Sequence, residues 1–226
     1  YISVTGVKTC ALPIWNRQTI LTKKNNPKMI LNQNGQTLDM IKKIYLDMDG
    51  VLSDFEGAFA SHYGQDTLKN RDKKIWTTEW PDFILNKKGF ATLPFWPGAL
   101  ELVNFVSELD VPVEILTSSG GLKYHQEVKE QKIAWLIQHN IPFTPHVVPG
   151  RKHKKEYAGE GIVLIDDTHD VIESFNKAGG IGILHKQLGE TVEKLKSLVD
   201  EPLNIDRKST RLNSSHTDIS RMPSSA

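Results

Sequence analysis

Short apolar runs and longer amphipathic stretches alternate along the middle of the chain. The apolar runs are rich in β-branched residues and end at turn residues, which is typical of buried strands. They lie at residues 44–48, 113–117, 146–148, 162–165 and 181–184. The amphipathic stretches are predicted helices and lie at residues 99–109, 124–140, 171–178 and 190–199. The second of these helices is expected to bury Val128, Ile133, Trp135, Leu136 and Ile137.

This alternation of strand and helix predicts an α/β fold. Strands that are apolar along their whole length are buried on both faces, as in a parallel sheet covered by helices. We therefore expect a parallel five-stranded sheet between two layers of helices. The predicted core comprises residues 40–54 and 93–200.

Residues 55–92 interrupt the alternation. They carry many aromatic side chains among lysines and lack the two-residue period of a strand. This pattern predicts a small helical cap inserted after the first strand. Residues 93–98 contain two prolines, which restrict the backbone and make this segment a rigid connector back to the core.

The two ends of the chain differ from the core in composition. Residues 1–14 and 207–226 have no hydrophobic period and resemble translated sequencing adapters. We expect residues 1–39 to be a disordered leader foreign to the natural protein, and residues 201–226 to be a disordered tail. On this hypothesis Met40 is the natural start, and neither Cys10 nor the sequon at Asn213 has a function.

Composition narrows the class of protein. The formal net charge is +1, so no strong field attracts a nucleic-acid polymer or an anionic membrane. A single cysteine excludes a disulfide framework and favours a cytoplasmic location. No apolar run approaches the ~20 residues that span a bilayer, so no membrane association is expected.

Three of the predicted strands end in polar side chains. The first ends in Asp47 and Asp49, the second in Thr117 and Ser118, and the fourth in Asp166 and Asp167. The carboxyl ends of parallel strands form the edge at which ligands bind in open α/β sheets. The sequence therefore predicts one polar site at this edge.

The residue types at this edge suit phosphoryl transfer. Carboxylates without histidine or cysteine favour a hard cation such as Mg²⁺, which also offsets their mutual repulsion. Hydroxyl groups and the backbone N–H groups of a glycine turn can bind phosphate oxygens. A lysine from the basic run Arg151–Lys155 can neutralise the remaining charge, with Lys152, Lys154 and Lys155 as candidates.

These motifs resemble those of haloacid dehalogenase-like (HAD) phosphatases. The stretches 47–55, 93–99 and 164–167 are similar to the 5′(3′)-deoxyribonucleotidase family, especially its bacterial and phage-type members. The resemblance covers about residues 41–200. It implies a HAD-like Rossmannoid three-layer sandwich with a cap, and a Mg²⁺-dependent nucleoside 5′-monophosphatase. A small-molecule nucleotide is then the expected substrate, and a homodimer is one of the oligomeric states that the sequence allows.

The resemblance also implies a role for each motif residue. Asp47 would be the nucleophile that forms an aspartyl-phosphate, and Asp49 would be the acid and base. The Asp47 carboxylate, the Asp49 carbonyl and one of Asp166 and Asp167 would hold Mg²⁺, with Asp167 favoured as the direct ligand. The phosphate would be bound by Thr117, Ser118 and Lys154.

Aromatic residues are the candidates for binding the nucleoside. Phe55, Trp76 and Trp96 are predicted to pack on the base, although each also suits the core of the cap. Two alternative functions stay open: a HAD phosphatase for another small phosphomonoester, or a non-catalytic domain that binds phosphate. The presence of both Asp47 and Asp49 favours an enzyme.

Overall fold

A computed structural model describes residues 41–64 and 75–200. Its centre is a parallel five-stranded sheet with the strand order β3-β2-β1-β4-β5. The strands are β1 (Lys43–Leu46), β2 (Val113–Ser118), β3 (Thr144–Val148), β4 (Ile162–Asp166) and β5 (Ile181–Leu184). The predicted fold class is therefore confirmed, and the first strand occupies the middle of the sheet.

Helices cover both faces of the sheet. They are α1 (Phe55–Tyr63), α2 (Trp80–Leu85), α3 (Ala99–Glu108), α4 (His125–Gln138), α5 (His169–Lys177) and α6 (Leu188–Asp200). Successive strand residues point to opposite faces, so each strand contributes to two apolar layers. One layer contains Ile44 and Leu46 with side chains of α3, α4 and α6. The smaller layer on the other face contains Tyr45 with side chains of α5.

The described parts of the segment after β1 are mostly helical, as the sequence predicts. After α1 the described part resumes with a π-helical turn at Ile75–Glu79, followed by α2 and a short 3₁₀-helix at Gly89–Ala91. The Asp54 carboxylate caps α1 by accepting a hydrogen bond from the Gly57 N–H at 2.8 Å. We call the described parts of residues 55–92 the cap.

The connector of residues 93–98 joins the cap back to the turn that follows β1. Its Pro94 carbonyl accepts from the Asp54 N–H at 2.9 Å, and its Trp96 N–H donates to the Leu52 carbonyl at 2.9 Å. From the other side, the Trp135 indole N–H donates to the Leu93 carbonyl at 2.7 Å. These bonds fix the connector to the turn after β1 and to α4.

One local feature differs from the sequence predictions. Ile137 is 71% exposed, so it does not belong to the buried side of α4 as predicted. The basic run lies in a 3₁₀-helix, Arg151–Tyr157, in which Lys154 is the buried residue. None of the helices within residues 41–64 and 75–200 has the length and apolarity needed to cross a membrane. The predictions for the leader, Met40 and the tail concern residues outside the described ranges.

Candidate active site

Strand order brings the polar strand ends together. Because β1 lies between β2 and β4, the residues that follow β1 have the ends of both neighbours beside them. The register pairs Leu46 with Ile165, and the Asp47 N–H donates to the Ile165 carbonyl at 2.9 Å. Asp47 therefore lies beside Asp166, although the two residues are far apart in sequence.

Lys154 is the lysine of the basic run that reaches these carboxylates. Its ammonium lies 2.6 Å from Asp47 Oδ2 and 2.6 Å from Asp166 Oδ2, and its side chain is 2% exposed. Lys152 and Lys155 are exposed. A buried cation shared between two buried carboxylates satisfies all three groups, and it fixes the direction in which Asp47 points.

The surroundings move the acidity of these two aspartates in opposite directions. Burial raises the pKa of Asp47, but the charges of Lys154 and Lys132, with hydrogen bonds from Lys154 and the Met48 N–H, outweigh it and leave the pKa below its usual value. Burial and the nearby Asp47 charge raise the pKa of Asp166 to about 6. Asp47 is thus ionised at neutral pH.

Asp167 extends the acidic cluster toward solvent. Desolvation of its carboxyl group, together with the charges of Asp47 and Asp166, raises its pKa to about 7, although the residue as a whole is exposed. Its Oδ1 accepts from the Thr168 hydroxyl at 3.0 Å. Gly50 packs against this carboxylate, because a Cβ added at Gly50 would lie only 2.4 Å from Asp167 Oδ2. Gly50 also has a φ of 75°, so both the close contact and the backbone conformation require glycine.

The acidic cluster fits a divalent cation. Asp47, Asp166 and Asp167 each offer a carboxylate oxygen, and these atoms all lie within 4.8 Å of one another. Hard oxygen ligands of this kind are those that Mg²⁺ prefers. Burial and, after it, the repulsion between these crowded carboxylates raise the pKa of both Asp166 and Asp167.

Asp49 has a separate environment. The Lys132 ammonium donates to Asp49 Oδ2 at 2.7 Å and to Thr117 Oγ1 at 2.8 Å, and Ser53 Oγ donates to Asp49 Oδ1 at 3.3 Å. Burial and the Asp47 charge raise the pKa of Asp49, and Lys132 only partly offsets them. The Asp49 carboxylate is not one of the three carboxylates of the acidic cluster.

Lys132 is the site residue that the sequence analysis missed. It lies on α4, far in sequence from any strand end, and its side chain is fully buried. The buried face of α4 follows the i, i+3, i+4 pattern and consists of Val128, Gln131, Lys132, Trp135 and Leu136. A lysine and a glutamine at positions of an apolar stripe were the available clue, because a buried polar side chain requires a partner.

The turn after β2 presents hydroxyl and N–H groups. Ser118 Oγ accepts from the Gly120 N–H at 3.0 Å, which leaves its own proton available to a ligand. Ser119 is buried and braces the turn, since its Oγ lies 2.8 Å from His125 Nδ1 and its N–H donates to the Val148 carbonyl at 2.9 Å. The turn therefore has a fixed inner side and a polar outer side.

The cap packs its aromatic side chains on one another. The Phe55 ring is stacked on Phe90 at 5.4 Å and lies edge-on to Trp80 at 5.7 Å. Trp80 in turn covers the turn after β2, where a Cβ at Gly120 would lie 2.9 Å from its ring. Phe55 is therefore part of the cap core, at the side of the cap that faces the site.

The other two predicted base-packing residues have different surroundings. Trp96 lines a separate hollow of about 430 Å³, together with residues 186–189 at the start of α6. A second hollow, of about 480 Å³, lies in the cap around Tyr63 and Asp82. The side chain of Trp76 lies outside the described part of the structure.

The site contains more acidic than basic side chains. Within the described residues, Asp47, Asp49, Asp166 and Asp167 carry four negative charges when ionised, whereas Lys132 and Lys154 supply two positive charges. The difference of two is the charge of a divalent cation. Buried charges need compensation, which a divalent cation at the three carboxylates would supply.

Comparison with known proteins finds similar folds among hydrolases. HAD-hydrolase YfnB from Bacillus subtilis, solved with magnesium bound, is 12% identical, covers 72% of this chain and 100% of its own, and has a TM-score of 0.46. A haloacid dehalogenase-like family hydrolase from Xanthomonas campestris is 13% identical over 76% and 96% of the chains, with a TM-score of 0.48. A HAD-superfamily hydrolase from Ehrlichia chaffeensis is 14% identical over 73% and 100%, with a TM-score of 0.42.

No protein-family model and no curated protein matches the sequence. At identities this low, similarity between structures concerns the fold alone and is not evidence for a substrate. The geometry and charges of the site therefore carry the evidence for function.

Proposed function

We propose that the protein is a Mg²⁺-dependent phosphomonoester hydrolase that acts on nucleoside 5′-monophosphates, with deoxynucleotides as the expected substrates. The reaction proceeds through an aspartyl-phosphate intermediate. The observation that carries this proposal is the pair of aspartates after β1, which have opposite pKa shifts and different lysine partners. Two carboxylates with separated pKa values are suited to two separate roles.

Asp47 is the proposed nucleophile. Its lowered pKa keeps it ionised, and Lys154 together with the Met48 N–H holds its carboxylate in one orientation. An Asp47 oxygen forms a bond to phosphorus as the bond from phosphorus to the leaving oxygen breaks. Mg²⁺, held by Asp47, Asp166 and Asp167, would neutralise the phosphate dianion that otherwise repels this attack.

Asp49 is the proposed acid and base. Its raised pKa allows it to carry the proton that the leaving nucleoside oxygen takes up in the first step. In the second step a water oxygen attacks the phosphorus of the aspartyl-phosphate and gives a proton to the Asp49 carboxylate, while the bond between phosphorus and the Asp47 oxygen breaks. Inorganic phosphate leaves, with Asp47 again a carboxylate and Asp49 again protonated.

The phosphate oxygens are expected to contact the turn after β2. Thr117 Oγ1 accepts a hydrogen bond from Lys132, so the proton of its own hydroxyl group is free to bind phosphate. Ser118 offers a second hydroxyl at the same edge. Together with Lys154 these groups would hold the transferred phosphoryl group between the two aspartates.

The nucleotide part of the proposal rests on the sequence resemblance and on the cap. The aromatic cluster of Phe55, Trp80 and Phe90 reaches the turn after β2, where Trp80 packs beside Gly120. This packing brings flat apolar surface next to the proposed phosphate site. A net charge of +1 disfavours a nucleic-acid polymer, whose binding generally needs a basic track.

A phosphate-release screen tests this proposal. Deoxynucleoside and ribonucleoside 5′-monophosphates, sugar phosphates and p-nitrophenyl phosphate are each supplied with Mg²⁺ or with EDTA. We expect release from 5′-monophosphates with Mg²⁺ and none in EDTA. Release from sugar phosphates alone would assign the alternative substrate class, and release that persists in EDTA would contradict the metal mechanism.

Replacement of the nucleophile provides the second test. Asp47→Asn should reduce turnover by about a thousandfold or more, as expected for a lost nucleophile. Asp170→Asn is the matched control, because Asp170 is exposed on α5 and paired with Arg151 on the surface. A Asp47→Asn protein that retains most of its activity would exclude the covalent intermediate.

A further inference from the structure

We propose that Gln131 and Lys132, which are neighbours on α4, transmit the position of the cap to the side chain of Asp49. On this view Lys132 is a positioning residue, which holds Asp49 in the orientation needed for proton transfer only while the cap is seated. The inference rests on the phosphatase function proposed above and adds to it a control of that same site by the cap.

Lys132 has little freedom in its position. Its ammonium donates to Asp49 Oδ2 and to Thr117 Oγ1, and it lies 5.1 Å from the centre of the Phe90 ring. The side chain is fully buried, so leaving these partners would place an unpaired charge inside the protein. The direction of the Asp49 carboxylate therefore follows the position of the Lys132 ammonium.

Gln131 fixes α4 to the cap. Its amide nitrogen donates to the Ile84 carbonyl at 2.8 Å, and its amide oxygen accepts from the Phe90 N–H at 3.2 Å. Both bonds are buried and both partners are backbone groups of the cap. One side chain thus binds both the end of α2 and the following 3₁₀-helix. Because its amide uses both a donor and an acceptor, it specifies one position of the cap relative to α4.

The two contacts meet at Phe90. The backbone of Phe90 binds Gln131, and its ring packs beside the Lys132 ammonium. A displacement of the cap segment of residues 84–90 must therefore disturb both α4 residues together. Proton transfer by Asp49 would then be coupled to a seated cap, which ties leaving-group protonation to the closed site.

The dependence on leaving group tests whether Lys132 acts through Asp49. A nucleoside oxygen needs a proton to leave, whereas p-nitrophenolate leaves without one. We expect Lys132→Met to lower kcat/KM for the best 5′-monophosphate by about a hundredfold or more, the usual size of a lost proton transfer. For p-nitrophenyl phosphate the loss should stay below about tenfold, because kcat/KM reports only the steps up to leaving-group departure.

Matched variants separate this role from a structural one. Lys129→Met lies one turn earlier on α4 and is only partly buried, so it should leave both values unchanged. Gln131→Leu should show the leaving-group dependence of Lys132→Met in weaker form, while the exposed Gln138→Leu should not. The double variant should lose no more than Lys132→Met, since residues that act in one chain are not additive.

Equal losses on both substrates for Lys132→Met and Gln131→Leu would overturn the inference, as would additive losses in the double variant. Circular dichroism and thermal unfolding establish that each variant folds. If Lys132→Met does not fold, Gln131→Leu carries the test with the same two substrates.

Crystal structures of the variants distinguish this inference from the proposed function. If the wild-type protein releases no phosphate from any substrate, the proposed function fails, and the Asp49 side chain still reports on the coupling. Movement of its carboxylate in both Lys132→Met and Gln131→Leu supports the inference. An unchanged Asp49 in both variants refutes it.

Discussion

Lys154 illustrates how a single residue sets the properties of its neighbours. Two buried carboxylates, Asp47 and Asp166, face its ammonium at 2.6 Å each. The lysine favours the ionised form of Asp47 and ties both carboxylates to the 3₁₀-helix of Arg151–Tyr157. Stability and reactivity at this point therefore depend on the same contact.

Lys154→Met should harm both properties. Removal of one partner from a buried charge pair costs about 3–5 kcal/mol of unfolding free energy, because the remaining charges lose their compensation. Chemical denaturation at pH 7.5 and phosphate release measure the two effects. Lys152→Met is the control, since a change at an exposed position falls within about 0.5 kcal/mol. Equal stability of the two variants would contradict this account of Lys154.

The raised pKa values of Asp166 and Asp167, about 6 and about 7, make stability depend on pH. An aspartate in the unfolded chain titrates near ~3.9, so the folded protein binds these protons more tightly. Their contribution to stability is fully present below that unfolded pKa and is lost as the pH rises through the folded values. The lowered pKa of Asp47 acts only below the unfolded pKa, outside this window.

Added Mg²⁺ should therefore raise the thermal unfolding temperature more at pH 8 than at pH 5.5, because the cation binds the deprotonated carboxylates. Thermal unfolding with Mg²⁺ or with EDTA at both pH values checks this expectation. Asp167→Asn should reduce the difference between the two pH values. An equal gain at pH 5.5 and pH 8 would place the cation elsewhere.

Helix α4 is the element that connects cap, connector and site. Gln131, Lys132 and Trp135 on its buried side bind the cap backbone, Asp49 and the connector, respectively. The sequence predicted this helix but not the buried polar contacts that it makes. Hydrophobic periodicity assigns apolar residues to the buried face and polar residues to the surface. A buried lysine therefore resembles a surface residue until the fold shows its partners.

Trp135→Phe tests the structural duty of α4. The smaller ring keeps most of the apolar contact but leaves the buried Leu93 carbonyl without its 2.7 Å donor, which costs about 1–3 kcal/mol. Denaturant unfolding measures this loss. Ile137→Ala is the control on the same helix, since Ile137 is exposed and its truncation should have little effect. Stability equal to that of the wild type would mean that the indole bond is dispensable.

At the scale of the whole molecule, topology determines what the sequence could predict. Residues at the carboxyl ends of strands were predictable as one group, because all carboxyl ends of a parallel sheet share an edge. Asp47, Thr117 and Asp166 belong to this group. The choice of Lys154 among three neighbouring lysines, and the surroundings of Phe55 and Trp96, were not fixed by any strand end. They depend on how a short helix turns and how the cap packs, which local sequence does not determine.

Trimming the chain tests the predicted domain boundaries. Every core side chain described above lies within residues 41–200. Removal of residues 1–39 and 207–226 should therefore leave the unfolding temperature and the phosphate release unchanged. Removal of residues 1–46, which deletes the central strand β1, should abolish folding. Loss of folding on the shorter truncation would show that the leader or the tail belongs to the domain.

When its four carboxylates are ionised, the site has an excess of two negative charges, and this excess has a kinetic consequence. A phosphate monoester is itself a dianion, so the ionised cluster repels it until a cation has been bound. Under the proposed function, binding should then follow a compulsory order, with the cation first and the ester second. Removal of the cation by a chelator would prevent substrate binding, and a higher substrate concentration would not restore it. The rate of phosphate release would then depend on the concentration of free Mg²⁺ as well as on that of the substrate.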